Sequence, residues 1–119
     1  MEENAELLGA AYAAFNRHDA DGVLRWMHKD VDWPNAADGS RVHGHQAVRA
    51  YWQGQWEHFH PQVDPVRIVQ GGDGKIVVEV HQVVTDLEGR VLADRMVDHV
   101  YEIRDGLIVR MEIREPAEG

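Results

Sequence analysis

The stretch that decides the fold runs from Lys75 to Arg114, KIVVEVHQVVTDLEGRVLADRMVDHVYEIRDGLIVRMEIR. It is dense in β-branched residues and is cut at Asp86-Leu87-Glu88-Gly89 and at Arg104-Asp105-Gly106, both polar and both ending in glycine. Glycine supplies the positive φ that tight hairpins need, so the pattern predicts strands over Lys75–Thr85, Arg90–Arg104 and Leu107–Arg114, joined as an antiparallel meander. A further strand, Val66–Gln70, precedes Gly71-Gly72-Asp73-Gly74 and joins the same sheet. The two longest exceed the usual strand length, and long antiparallel strands twist and curl.

Upstream of Pro65 the period changes. Leu8, Tyr12 and Phe15 recur at helical spacing between Glu3 and Arg17, with alanines in the gaps. Asp19 or Asp21 caps a second helix whose apolar positions are Val23, Leu24, Trp26 and Met27. A short extended run, Val31-Asp32-Trp33, ends at Pro34, and Asn35 to Arg41 has loop composition. Gly44 precedes a third helix, with Val48, Trp52, Trp56 and Phe59 on one face and Arg49, Gln53 and Glu57 off it. Pro61 and Pro65 bar that helix from continuing. Three helices followed by a curled sheet make an α+β domain. With the helices on the concave side, the sheet becomes a cone around an interior cavity.

The 119 residues, 13.5 kDa in all, are read as a single domain over 1–119, large enough for one proper core without metal or disulfide staples. The net charge of −9 repels phosphate backbones and anionic lipid, so neither nucleic acid nor a membrane is an expected partner. The chain has no cysteine, which excludes disulfides, thiol catalysis and Cys-ligated metal. Its acidic beginning, MEENAELLGA, is unlike a signal peptide, and a cytoplasmic location is expected. Ser40 is the only serine, and Gly71–Gly74 lies between strands rather than before a helix. Neither a serine nucleophile motif nor a phosphate-cradling loop is present.

Four segments carry a family likeness: Tyr12–Asp19, Asp30–Pro34, Val42–Trp52 and Val100–Met111. Together they resemble the nuclear transport factor 2-like superfamily, in its SnoaL-like and ketosteroid isomerase-like branch. The resemblance implies a cone-shaped curved antiparallel sheet with three N-terminal helices enclosing a pocket, the cystatin-like α+β roll. It implies no single activity, since the scaffold hosts isomerases, cyclases, hydrolases, dehydratases and non-catalytic modules. By that likeness Tyr12 falls on the tyrosine that ketosteroid isomerases use to hold an oxyanion, and His99 on the second oxyanion donor. The proton-moving aspartate falls on Trp33. Steroid isomerisation by the family mechanism therefore lacks its base and is not expected.

Strand alternation selects the residues that face the cavity. With His99 inward, Arg95, Val97, Tyr101 and Ile103 share its face, and the Asp86–Gly89 turn then places Val77, Glu79, His81 and Val83 opposite them. Glu79, His81, Arg95 and His99 form a polar group in a cavity otherwise lined by Tyr12, Phe15, Trp33, Trp52, Trp56, Tyr101 and Met111. A slip of one residue replaces that set with Val78, Val80, Gln82, Met96 and Asp98. In the catalytic reading Tyr12 polarises a carbonyl oxygen and His99 or His81 moves a proton. Glu79 orients the imidazole and Trp33 stacks on a ring. In the plainer reading the histidines satisfy one another or Glu79 in a polar core, and the tryptophans are packing.

His43-x-His45 and His58-x-His60 lack the spacing that puts two ligands on one helical face, and no metal or other cofactor is expected. The opposite sheet face, read as Val78, Val80, Val84, Leu92, Met96 and Val100, is an apolar patch that needs cover, and a homodimer through it follows. Three functions stay open on the residues alone. One is an isomerase, cyclase or hydrolase acting on a small apolar carbonyl compound by proton transfer. Another is a non-catalytic module holding a hydrophobic ligand, and the last a dimerisation domain with a collapsed cavity.

Overall fold

The computed structural model describes residues 2–35, 38–71 and 73–116. Helix α1 (Glu2–Asn16) buries Leu7, Leu8, Ala11, Tyr12 and Ala14. The chain reverses at His18, whose φ is +59°, and the Asp19 carboxylate accepts the Gly22 N–H at 3.0 Å to cap the short α2 (Ala20–Leu24). Trp26 and Met27 fall outside that helix. Met27 opens strand β1 (Met27–Pro34), which is longer than the three-residue run that the pattern suggested. A short strand not anticipated, β2 (Arg41–His43), pairs antiparallel with β1 and leads into α3 (Gly44–Trp56).

Phe59 does not extend α3. It starts β3 (Phe59–Gln70), which absorbs Pro61 and Pro65 along with the predicted Val66–Gln70. Proline lacks the N–H of a ladder partner and is tolerated on an edge, and β3 is the last strand in the order β2-β1-β6-β5-β4-β3. Strands β4 (Ile76–Asp86), β5 (Val91–Arg104) and β6 (Leu107–Arg114) lie where the glycine-ended turns place them. Asp105 and Gly106 both take positive φ, 53° and 75°, in the last hairpin. The sheet is antiparallel except for one pair: β1 and β6 run parallel.

Besides a register shift between β1 and β6, a bulge in each of three antiparallel pairs curls the sheet. Pairing steps from Pro65↔Val80 to Arg67↔Glu79, leaving Val66 unmatched. It steps from Val84↔Ala93 to Thr85↔Val91, leaving Leu92 unmatched, and from Glu102↔Arg110 to Ile103↔Ile108, leaving Val109. Each extra residue bends its strand and adds twist. The resulting open, curved six-stranded sheet packs its concave face against α1 and α3, and Val31, Val48, Val78 and Val80 lie there at 0% exposure. On the convex face the Asp32 carboxylate accepts from Arg41 Nε at 2.7 Å and from Arg110, while Arg41 Nη2 donates to the Met111 carbonyl at 2.7 Å. This cluster ties β2, β1 and β6 together.

Candidate functional site

Tyr12 projects from α1, and His99 and Tyr101 from β5, two residues apart and so on one face of the strand. Tyr12 Oη lies 2.8 Å from His99 Nδ1. Tyr101 Oη donates to Tyr12 Oη, also at 2.8 Å. The three residues are 5%, 6% and 4% exposed in the order Tyr12, His99, Tyr101. An unpaired buried hydroxyl is costly. Among these groups one arrangement pairs both hydroxyl protons: Tyr101 gives its proton to Tyr12, and Tyr12 gives its own to Nδ1. The imidazole then carries its hydrogen on Nε2, and that N–H is the donor left for a ligand.

Electrostatics agree with a neutral imidazole. Burial lowers the His99 pKa to about 4, so the ring is uncharged at neutral pH and a weak base. Tyr12 is raised well above the ordinary tyrosine value by burial, with the neighbouring Tyr101 adding to it. Burial also raises Tyr101, against the opposing effect of its bond to Tyr12. At neutral pH His99 is therefore an uncharged imidazole held by Tyr12.

His99 lines two adjacent chambers that share part of their walls. The inner one, ≈ 50 Å³, is walled by Tyr12, Phe15, Trp33, Trp52, Tyr101 and smaller apolar residues from α1, α2, β1, β3 and β6. The outer one, ≈ 100 Å³, shares Phe15, Trp33, Trp52, Val63 and His99 with it and adds Tyr51, Gln55, Gln82, Met111 and Ile113. Among the described residues no Asp, Glu, Lys or Arg lines either chamber.

Of the residues selected from sequence, the structure brings Tyr12, His99, Tyr101, Phe15, Trp33, Trp52 and Met111 to this space. Trp56 stands behind it, packed on Phe15 and Trp52 at ring distances of 5.5 and 6.1 Å, with His18 stacked on it at 4.7 Å. Glu79 and His81 are not there. His99 pairs with Val78 and Val97 with Val80, so β4 presents its even-numbered residues inward. His81 Nε2 instead meets Asp94 at 2.6 Å on the convex face, and Glu79 faces Arg67 at 3.7 Å. Arg95 keeps the predicted face but lies beyond the chambers, in a cleft at their mouth. The same register corrects the expected convex patch. Val78 and Val80 belong to the core, Val84 lines the outer chamber, and Val100 is 4% exposed, leaving Leu92 and Met96 at 55% and 40%.

The paired histidines diverge: His45 Nε2 bonds the Met27 carbonyl at 2.9 Å, and His60 stacks on His18 at 5.3 Å. Among the described residues no three His, Asp or Glu side chains gather as metal ligands. Among the described residues no helix is long and apolar enough to cross a membrane.

Residues 8–111 match the family model of the SnoaL-like domain. The chain belongs to the SnoaL-like family. This SnoaL-like chain is similar to a nuclear transport factor 2-like protein of unknown function from Burkholderia pseudomallei, at 28% identity and a TM-score of 0.82, covering 98% of this chain and 92% of the other. At 29% identity and the same TM-score, 0.82, it is similar to TerC, crystallised with polyporic acid, over 96% of this chain and 92% of that one. A Mycobacterium tuberculosis protein solved with estradiol-17beta-hemisuccinate shares the fold at 19% identity and a TM-score of 0.79, over 93% and 92% of the two chains. No curated protein matches.

Among the polar groups that this SnoaL-like domain presents to its outer chamber, sequence reasoning missed Gln55. Gln82 was visible only through the alternative register of β4. Gln55 sits one turn beyond Tyr51 on α3 and donates to its hydroxyl at 3.0 Å, an i,i+4 pair that helical spacing alone reveals.

Proposed function

We propose that the chain binds a small, flat, mostly apolar molecule bearing an acceptor oxygen, seated in the two chambers with His99 Nε2–H donating to that oxygen. The observation that carries this reading is the Tyr101–Tyr12–His99 relay, which favours hydrogen on Nε2 and sets a buried neutral imidazole among uncharged walls. Trp33 and Trp52, edge-to-face at 5.6 Å, supply flat surface for a ring. TerC's crystallisation with polyporic acid at 29% identity supports a small organic ligand.

Chemically, a neutral donor in a dry site polarises a carbonyl or holds an enolate. That suits an isomerase, cyclase or hydrolase whose substrate is acidic enough, or carries its own base, to react without a protein carboxylate. Tyr12 then acts through His99 rather than on the substrate. The second reading, a non-catalytic module for the same ligand class, is favoured by one specific observation, the absence of a charged side chain among the described lining residues. A cytoplasmic location and a homodimer complete the proposal. The exposed Leu92 and Met96 of β5, with Val91 alongside at 61% exposure, form the centre of that interface.

The test uses 4-acetylbiphenyl and 4-ethylbiphenyl, which differ by the acceptor oxygen, and follows tryptophan fluorescence on titration. The ketone binds the wild type, and its affinity relative to the hydrocarbon falls several-fold, up to about tenfold, in His99→Phe, as expected for one lost hydrogen bond. Equal ratios in the two proteins, or no binding of the ketone, would overturn the proposal. Mass spectrometry of the recovered ketone distinguishes binding from turnover.

A further inference from the structure

The outer chamber has a polar neighbour. Pro34, Gln82 and Ile113 line both it and a wider cleft of ≈ 380 Å³, formed where β6 stops short between the β1–β2 turn and the β4–β5 hairpin. Among the described residues Arg41, Arg95 and Arg114 line this cleft together with Glu112, and Glu115 pairs with Arg95 beside it. These guanidinium groups lie at the mouth of a site whose described walls carry no Asp, Glu, Lys or Arg.

The arginines are not equivalent. Arg41 is committed, with Nε on Asp32 at 2.7 Å and Nη2 on the carbonyls of Asp32 and Met111 at 3.1 and 2.7 Å. Arg114 Nη2 donates to Glu112 at 3.3 Å, and Arg110 Nη2 also holds that carboxylate, at 3.0 Å. Arg95 meets Glu115 at 3.5 Å, with side chains 54% and 83% exposed, a long and solvated contact that contributes little. Glu115 follows the last strand, so its carboxylate occupies by loose contact the place a better-fitting anion would take. His99 and Arg95 lie on one face of β5, four residues apart and so separated by roughly 13 Å.

Resting on the reading above, we infer that the mouth cleft is an anion subsite, and that the ligand is a rod-shaped carboxylic acid with its acceptor oxygen on His99 and its carboxylate on Arg95, with Arg114 alongside. The apolar middle of the molecule then fills the outer chamber. Glu115 competes with the carboxylate for Arg95 and lowers the affinity. The charge-assisted, two-pronged geometry of a guanidinium against a carboxylate selects the acid over its neutral counterpart.

The probes are 4′-acetylbiphenyl-4-carboxylate and 4-acetylbiphenyl, identical except for the carboxylate, titrated against tryptophan fluorescence at low and high salt. The acid binds the wild type about fivefold to tenfold more tightly than the ketone at low salt, and less so at high salt. Arg95→Gln brings that ratio toward one, Arg95→Lys restores part of it, and Glu115→Gln raises it. A wild-type ratio near one with the ketone bound overturns the anion subsite alone. A ratio unchanged in the Arg95→Gln/Arg114→Gln double variant does the same, since the carboxylate is then held elsewhere. Failure of the ketone itself to bind overturns the proposed function and this inference with it.

Discussion

His99 shows how much of a residue's chemistry is set by what surrounds it. A histidine beside a carboxylate would be a base at neutral pH; here its neighbours are two phenols and apolar walls, and burial lowers its pKa to about 4. The unfolded chain returns it to the ordinary value near 6.5, so the unfolded state takes up the proton first on acidification. Stability from this group is therefore complete above about pH 6.5, falls as pH drops toward about 4, and levels off below, with a total of about 3 kcal/mol. His18, also lowered by burial, adds in the same direction. Urea unfolding of wild type and His99→Gln at about pH 7 and about pH 4 isolates the larger contribution. The wild type loses more stability over that window than the variant, and parallel losses would refute the assigned cause. Tyr12 and His99 were legible as one site because two arguments met on them, strand alternation along β5 and the family likeness. The direction of the proton between them was not, since it depends on Tyr101 needing an acceptor, which only the packed core reveals.

At the scale of elements, a single residue accounts for the misplaced half of the candidate site. Extending the hairpin from Thr85↔Val91 without a bulge would pair His81 with Arg95 and Val77 with His99, the face expected from sequence. Leu92 intervenes, pairing resumes at Val84↔Ala93, and every β4 side chain changes sides. The β4 sequence gives no warning, because valines at 77, 78, 80, 83 and 84 occupy both parities. The cost of the alternative decides it, since Glu79 and His81 would enter the core in place of the fully buried Val78 and Val80. Strand β3 hid for a similar reason, its prolines masking an edge strand. One side chain clamps that edge at Val63. Asn16 Nδ2 donates to the Val63 carbonyl, and the Val63 N–H donates to Asn16 Oδ1, each at 2.9 Å, so the end of α1 serves as a substitute ladder partner. Asn16→Ala removes both bonds and lowers stability by about 2 kcal/mol. It also speeds amide hydrogen exchange at Val63; an unchanged Val63 rate would show that the clamp does not hold the edge.

For the whole molecule, helices before a curled sheet were readable from the change of hydrophobic period at Pro65, whereas assembly depends on which faces remain after the register is set. The convex face keeps its polar side chains largely paired within the chain, His81 with Asp94, Arg67 with Glu79 and Lys75 with Glu102. Such pairs have little to gain from a second copy. The apolar area left for the proposed homodimer centres on Val91, Leu92 and Met96, at 61%, 55% and 40% exposure. Two bodies of net charge −9 repel one another, and salt screens that repulsion while leaving apolar burial in place. The dimer therefore tightens as salt is added, and Leu92→Glu/Met96→Glu shifts the protein to monomer in sedimentation velocity. Weakening by salt would mean an interface built from ion pairs, and a dimer that survives the double variant would place the contact on another face.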